Sequence, residues 1–249
     1  MTTPIFICGA ECGQNFDPNT ASSALHWGVC RYFAAVTTTV RSGLRSWKPT
    51  PITGALSHYL ASQRVIGRFY LQFTTFPTAL AILGRCTDSA GHLVIQFNNA
   101  TSKLEAKVGT GTTQAGPTIS LNIWYRIDFD ANSSGATATL DWRVDGVAQT
   151  QATNAQTAAN MTDFSLFGDV AEDIFYDDIV LSITAADYPI GEGKVVGYSP
   201  DEDGTHSFVA GDFIYSSGST IAGTATDVYS YIDELPLSGT TDWIRQAVA

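Results

Sequence analysis

Five acidic residues lie close together in the second half of the chain, where they could bind a cation. Carboxylate oxygens are the ligands that Ca²⁺ prefers in proteins. The sequence therefore allows a calcium site, and no cofactor other than calcium is expected. The candidate ligands are Asp169, Asp173 and Asp177, with Glu172 and Asp178 beside them.

Asp177 is the most unusual of these residues, because the alternation of its segment places it among apolar side chains. In residues 174–183, Phe175, Ile179 and Leu181 have the same parity as Asp177. A buried carboxylate without partners is costly. We therefore expect Asp177 to accept backbone hydrogen bonds from an adjoining loop, to bind a metal ion, or to be displaced by a β-bulge.

A second acidic motif predicts a turn and no metal site. Asp201, Asp203 and Gly204 resemble the start of a calcium-binding loop. Such a loop is closed by a bidentate glutamate, and the residues from His206 onward do not supply one.

The sequence predicts no catalytic residues. Its four histidines are scattered, and it has no Gly-x-Ser-x-Gly turn to carry a nucleophile. Hydrolysis of glycosides needs two carboxylates across one bond, and the Glu-x-Asp-x-x-Glu string of the jelly-roll glucanases is missing. We therefore expect a protein that binds and does not turn over a substrate.

Two tryptophans are candidates for contact with a glycan or a protein partner, since aromatic faces stack on the apolar faces of sugar rings. Trp47 lies in a segment that reads as a loop, and Trp124 has the polar parity of Arg126 and Asp128. Both are therefore expected to be accessible. Trp142 has the parity of apolar neighbours and is expected in the core.

Alternation of apolar and polar residues is the dominant pattern and predicts β-strands with one solvated face. The Asp145-Gly146 pair between two such segments is typical of a tight hairpin turn. The alternation is clearest in residues 64–73, 92–97, 123–129 and 136–145, and weaker strands are predicted at 4–8, 80–86, 102–108, 163–168 and 175–183.

About nine or ten short strands predict an all-β protein, a two-sheet antiparallel jelly-roll sandwich with a smaller β-rich C-terminal segment. Short helices are expected only at 22–35 and 242–248. A break near residue 187 divides the chain into a sandwich of residues 1–187 and an extension of residues 188–249. The extension contains a predicted strand at 194–199. It is expected to dock on the first domain or on a neighbouring chain, or to start a second small domain.

Composition excludes several classes of function. The chain has 13 basic and 24 acidic residues and a formal net charge of −11, so it lacks the basic clusters that bind nucleic acid. No apolar run approaches the roughly 20 residues that span a bilayer, and no membrane insertion is expected. The first eight residues do not resemble a signal peptide, which predicts folding in a cytoplasm with reduced cysteines.

Two stretches resemble known families. Residues 68–73, a Trp-x-x-Asp-Gly hairpin at 142–146 and a Tyr-Asp-Asp-Ile strand at 176–182 resemble concanavalin A-like (laminin G-like) jelly rolls. Residues 193–207 and 231–236 resemble a segment that follows such a jelly roll in structural proteins of tailed bacteriophages. The chain departs from that second pattern at 192–194 and at position 206, where a histidine replaces an aromatic residue.

The resemblance implies a non-enzymatic virion component, either capsid-decorating or tail-associated, that is present in several copies. Its partners would be other virion proteins and copies of itself, and assembly would take place in the host bacterial cytoplasm. An alternative function is a glycan-binding adhesion module for attachment to the host surface, with or without calcium. The resemblance also leads us to expect that the chain continues beyond residue 249.

Overall fold

The computed structural model describes residues 6–8, 29–31, 33–43, 45–49, 54–89, 91–168, 173–194, 213–215 and 244–246. The regular structure of these residues is β-strand, apart from one turn of 3-10 helix at Ala185–Asp187. The predicted all-β class is therefore confirmed. The strands in chain order are β1 (Phe6–Cys8), β2 (Val29–Arg31), β3 (Phe33–Val36), β4 (Ser46–Pro49), β5 (Gly54–Ser62), β6 (Arg64–Thr75), β7 (Ala81–Asp88), β8 (His92–Asn98), β9 (Lys103–Val108), β10 (Gln114–Thr118), β11 (Tyr125–Asn132), β12 (Thr137–Val144), β13 (Val147–Ala148), β14 (Ala152–Ala155), β15 (Met161–Gly168), β16 (Asp173–Ser182), β17 (Phe213–Tyr215) and β18 (Ile244–Gln246).

The chain forms two compact units, Met1–Gly197 and Tyr198–Ala249. The first unit ends at Gly197, beyond the break expected near residue 187. In the second unit, β17 pairs antiparallel with β18. The predicted strand at 194–199 falls largely outside the described residues. Among the described residues, no helix has the length and apolar character to cross a bilayer.

Two antiparallel sheets form the sandwich of the first unit. One has nine strands in the order β13-β12-β11-β6-β16-β4-β3, with β1 beside β16 and β14 beside β12. The other has seven strands in the order β10-β9-β8-β7-β15-β5-β2. Strands far apart in sequence are neighbours in both sheets, as in a jelly roll, so the predicted two-sheet jelly-roll sandwich is confirmed.

Aromatic rings from both sheets meet in the core. The ring of Phe69 on β6 lies 6.2 Å from Phe129 and 6.1 Å from Tyr176 in its own sheet, and 6.2 Å from Phe164 of the opposite sheet. Trp142 is also fully buried, as its parity predicts. Tilted ring pairs at such distances stabilise a core beyond the area that they bury.

The two predicted helices are wrong. Residues 29–31 and 33–36 are the strands β2 and β3, and residues 244–246 are the strand β18. Residues 22–28 lie outside the described part of the chain. Each of these strands pairs with another strand, so pairing contacts override the weak local helix preference.

The expectation that the strand at residues 64–73 has one solvated face is also wrong. On β6, Val65, Phe69, Leu71 and Phe73 face the core as predicted, but Ile66, Arg68 and Tyr70 on the outer face are buried as well. Two segments of the first unit cover that outer face, residues 37–43 and residues 188–194.

Candidate functional site

Asp177 lies at a β-bulge in β16. Asp177 is opposite Tyr70 and Val180 is opposite Arg68, so β16 has one more residue than β6 across this interval. Asp178 has a φ of 49°, the left-handed conformation that aspartate tolerates better than most residues. The bulge reverses the parity of the strand, because Ile174 and Tyr176 face the core before it and Ile179 and Leu181 face the core after it.

The predicted inward direction of Asp177 is therefore wrong, and its carboxylate lies on the outer face of the sheet. Its Oδ2 accepts the backbone N–H groups of Arg41 at 3.1 Å and Ser42 at 3.2 Å. Its Oδ1 accepts the N–H of Asp178 at 2.8 Å. The expectation that a loop supplies backbone donors to Asp177 is confirmed, with the bulge as part of the same arrangement.

Burial raises the pKa of Asp177 to about 7, and the negative charge of Asp178 adds to the effect. The three backbone N–H groups favour the ionised form and offset part of this shift. Asp177 is therefore a buried acid that titrates near neutral pH.

Arg41 joins this bulge to both covering segments. Its guanidinium lies 3.4 Å from the ring centroid of Tyr70 and forms an ion pair with the carboxylate of Asp178. The same guanidinium donates to the carbonyl oxygen of Gly193 at 3.0 Å. The hydroxyl of Ser42 donates to Asp178 at 2.8 Å. Loop 37–43 is thus anchored to two adjacent buried carboxylates.

Two further buried carboxylates on the outer face of the nine-stranded sheet, Asp128 and Asp130, are also paired with arginines. Arg126 donates to Asp128 at 2.8 Å, and the backbone N–H of Gly191 donates to the other oxygen of Asp128 at 2.9 Å. Arg64 forms an ion pair with Asp130. We call this outer face of the nine-stranded sheet, with residues 37–43 and 188–194 over it, the closed face. The carboxylates of the closed face already accept hydrogen bonds from arginine side chains or backbone N–H groups. They are therefore poorly placed for proton transfer to or from a substrate.

The proposed calcium ligands are not brought together by the described residues. Asp173 forms a partly exposed ion pair with Lys48, while Asp177 faces backbone donors. Asp169 lies outside the described part of the chain. In the part that is described, no three His, Cys, Asp or Glu side chains converge as metal ligands would. Asp173 and Asp177 alone do not fit a cation, and the calcium site stays a prediction that depends on Asp169.

The two tryptophans differ from each other. Trp47 is on β4 opposite Tyr176, and only 3% of it is exposed. The expectation that Trp47 sits in an accessible loop is wrong, because the segment pairs with β3 and β16 and turns the indole into the core. Trp124 precedes β11 and is partly exposed, so it stays available for a contact.

The outer face of the seven-stranded sheet is different in character, and sequence analysis did not single it out. We call it the open face. One row of directly opposed residues crosses its strands from β5 to β9, and a second row runs beside the first. The first row is Ser57, Ser165, Arg85, Val94 and Lys107, and the second is Tyr59, Asp163, Thr87 and His92.

Exposure on the open face is uneven. Tyr59 is 62% exposed, and Arg85 and Lys107 are partly exposed, whereas Ser165 and Val94 in the first row are buried. Arg85 lies over the partly exposed ring of Phe167, 4.5 Å from its centroid. Arg85 and Lys107 form no ion pair within the described residues. The alternation in β7 and β9 could have predicted that both cations face outward, but it does not predict which residues lie opposite them.

Comparisons with known proteins do not assign the chain to a family. No family model and no curated protein matches the chain. Among solved structures, it is similar to a Trypanosoma rangeli sialidase at 13% identity over 65% of this chain and 29% of that one, with a TM-score of 0.47. It is also similar to the receptor binding domain of botulinum neurotoxin D at 8% identity over 63% of this chain and 45% of that one, with a TM-score of 0.47. The chain thus spans less than a third of the sialidase and less than half of the toxin domain, and we draw no functional conclusion from likeness of this size.

Proposed function

We propose that this chain is a non-enzymatic structural protein of a tailed-bacteriophage particle, either capsid-decorating or tail-associated, that displays its sandwich for adhesion. The second unit, residues 198–249, would attach the protein to other virion proteins or to copies of itself. The proposal rests on the resemblance of residues 193–207 and 231–236 to phage structural proteins. Assembly would take place in the host cytoplasm.

The observation that supports an adhesive role is the difference between the two outer faces of the sandwich. On the closed face, charged groups are paired and covered by the chain's own loops. On the open face, Tyr59 is exposed and Arg85 has no charged partner among the described residues. A sandwich that is covered on one outer face and exposed at Tyr59 on the other is suited to holding a partner on its exposed side.

The same contrast supports a function without catalysis. General acid–base chemistry needs a titrating group that reaches a substrate. Asp177 has the shifted pKa of such a group, but its oxygens are held by three backbone N–H groups beneath loop 37–43. The shifted pKa of Asp177 therefore follows from its burial and gives no reason to assign an activity.

A second candidate function, a glycan-binding adhesion module, is favoured by the composition of the open face. Tyr59 and Phe167 offer aromatic surfaces, and the partly exposed Ser57 and Thr87 bear hydroxyl groups on the same face. Aromatic rings and hydroxyls together suit a sugar, which has apolar ring faces and polar edges. The two functions are compatible, since a virion protein can bear an adhesive face.

The virion role is tested by quantitative mass spectrometry of gradient-purified phage particles from a lysate that expresses the chain. We expect the chain to co-migrate with the particles at several copies per particle, with an abundant host cytoplasmic protein as the control for carry-over. Recovery of the chain only in the soluble fraction would contradict the proposed virion role.

A further inference from the structure

We propose that the open face binds an acidic saccharide chain, with Arg85 and Lys107 holding its carboxylate groups. This inference rests on the adhesive function proposed above and names the class of ligand for it. Four observations support it. Arg85 forms no ion pair within the described residues, Lys107 lies in the same row, the nearby acidic side chains already accept hydrogen bonds, and hydroxyl and aromatic groups lie near the two cations.

Arg85 has no partner for its charge among the described residues. It forms no hydrogen bond and no ion pair within the described residues, and its buried Nε has no acceptor there. The guanidinium is held by the ring of Phe167 instead. A buried donor without an acceptor destabilises the fold, and features that oppose stability in this way are concentrated at functional sites.

The acidic residue nearest to Arg85 in the pairing pattern is engaged elsewhere. Asp163 lies in the neighbouring row and accepts the hydroxyls of Ser165 at 2.7 Å, Thr87 at 3.3 Å and Thr162 at 3.0 Å. Phe167 lies on the opposite side of Ser165 along β15. The stacking of Arg85 on Phe167 therefore turns its guanidinium away from Asp163.

Lys107 places a second cation in the same row. It is opposite Val94, which in turn is opposite Arg85. Two strand spacings separate the backbones of Arg85 and Lys107 by about 10 Å. Lys107 forms no ion pair with any described residue, and Glu105 on the same strand accepts the amides of Gln96 and Asn98.

Arg85 and Lys107 differ from the cations that pair with an aspartate, which are Arg41, Lys48, Arg64 and Arg126. Like Arg68, Lys103 and Arg143, they form no ion pair within the described residues, although acidic residues outnumber basic ones by 24 to 13 in the sequence. Two such cations in one row complement a ligand with repeated negative charges. Arginine is well suited to a carboxylate, because its planar donors match the two oxygens.

The surroundings of the cations favour a saccharide over a peptide. Ser57 lies in the same row and is partly exposed, and its hydroxyl is 2.7 Å from that of the buried Ser165. Tyr59 stands in the neighbouring row with most of its ring exposed. Hydroxyls that both donate and accept match the hydroxyls of a sugar, and an exposed ring matches the face of a pyranose.

The test is a binding titration of the full chain at low salt with polymers of galacturonate, glucuronate and sialate, each compared with its methyl ester. The ester keeps the sugar and removes the charge. We expect at least one acidic polymer to bind, its ester to bind about tenfold or more weakly, and Arg85→Gln and Lys107→Gln each to cause a comparable loss. Lys48→Gln removes the same charge from the opposite sheet and should bind like the wild type.

Each other outcome overturns the inference in a distinct way. If no acidic polymer binds, or if acid and ester bind equally, the carboxylate assignment is wrong. If Arg85→Gln and Lys107→Gln bind like Lys48→Gln, the site is elsewhere. If poly-glutamate competes as strongly as the saccharides, the ligand class is wrong. The virion role is judged separately, since particle mass spectrometry reports it whether or not a saccharide binds.

Discussion

Replacing Asp177 with asparagine should change how the stability of the protein depends on pH, because Asp177 is buried on the closed face. Asp177 is buried between Asp178 of its own strand, the loop that carries Arg41, and Arg68 and Tyr70 of β6. Its pKa is about 7 in the folded protein against an ordinary value of 3.8. Asparagine keeps one acceptor oxygen and has no charge at any pH.

The sign of the effect follows from the raised pKa. The folded wild type binds a proton at Asp177 more tightly than the unfolded chain does, so this residue's contribution to stability is fully present below about pH 4. That contribution is lost as the pH rises through about 7. The rise of the pKa from 3.8 to about 7 corresponds to about 4 kcal/mol.

The assay is urea denaturation of the wild type and of Asp177→Asn at intervals from pH 4 to pH 8. We expect the asparagine variant to be less stable by about 1 kcal/mol at pH 4, where it loses one hydrogen bond. Its stability relative to the wild type should then rise by up to about 4 kcal/mol by pH 8. The matched control is Asp173→Asn, a partly exposed carboxylate on the same strand, whose replacement should change the stability by about 1 kcal/mol or less.

Parallel curves for the wild type and Asp177→Asn over the whole range would refute this reasoning. They would mean that Asp177 titrates at an ordinary pKa, and that the cover formed by residues 37–43 admits water to its carboxylate.

Two further predictions test the packing. Gly67→Ala should destabilise the protein by about 1–3 kcal/mol in urea denaturation, because a Cβ there would lie 2.2 Å from the ring of Phe129. Gly135→Ala, whose Cβ would meet nothing closer than 3.9 Å, is its control, and equal losses for the two would contradict the packing. Trp47→Ala should cost about 3–5 kcal/mol because the indole is buried. Trp124→Ala should cost about 1 kcal/mol or less because Trp124 is partly exposed, and the reverse order would show that their positions are misassigned.

Sequence patterns predicted the inner faces of the strands well. The apolar parity of Phe69 and Trp142 alone is enough to place both rings in the core, because a strand turns alternate side chains to opposite sides. The pattern failed at Asp177, because one inserted residue reverses parity. The Asp-Asp pair at 177–178 is the signal that could have indicated the bulge, since aspartate tolerates the left-handed conformation.

The two outer faces could not be predicted from the sequence. The ion pair between Arg41 and Asp178 joins residues 137 positions apart, and no local pattern records such a contact. Trp47 was misplaced for the same reason, since the pairing of β4 with β16 brings together distant segments. On the open face, Arg85 has no charged partner within the described part of the chain, and this depends on the register of strands β7, β8 and β15.

The proposed adhesive role requires Tyr59 on the open face to be accessible while the closed face stays covered. Hydroxyl-radical footprinting of the free protein and of purified phage particles tests it most directly, with Tyr59 reporting on the open face and Tyr70 on the closed face. We predict that Tyr59, which is 62% exposed, is oxidised in both samples and that the buried Tyr70 is oxidised in neither. Oxidation of Tyr70 in the free protein, or protection of Tyr59 by assembly alone, would contradict the account.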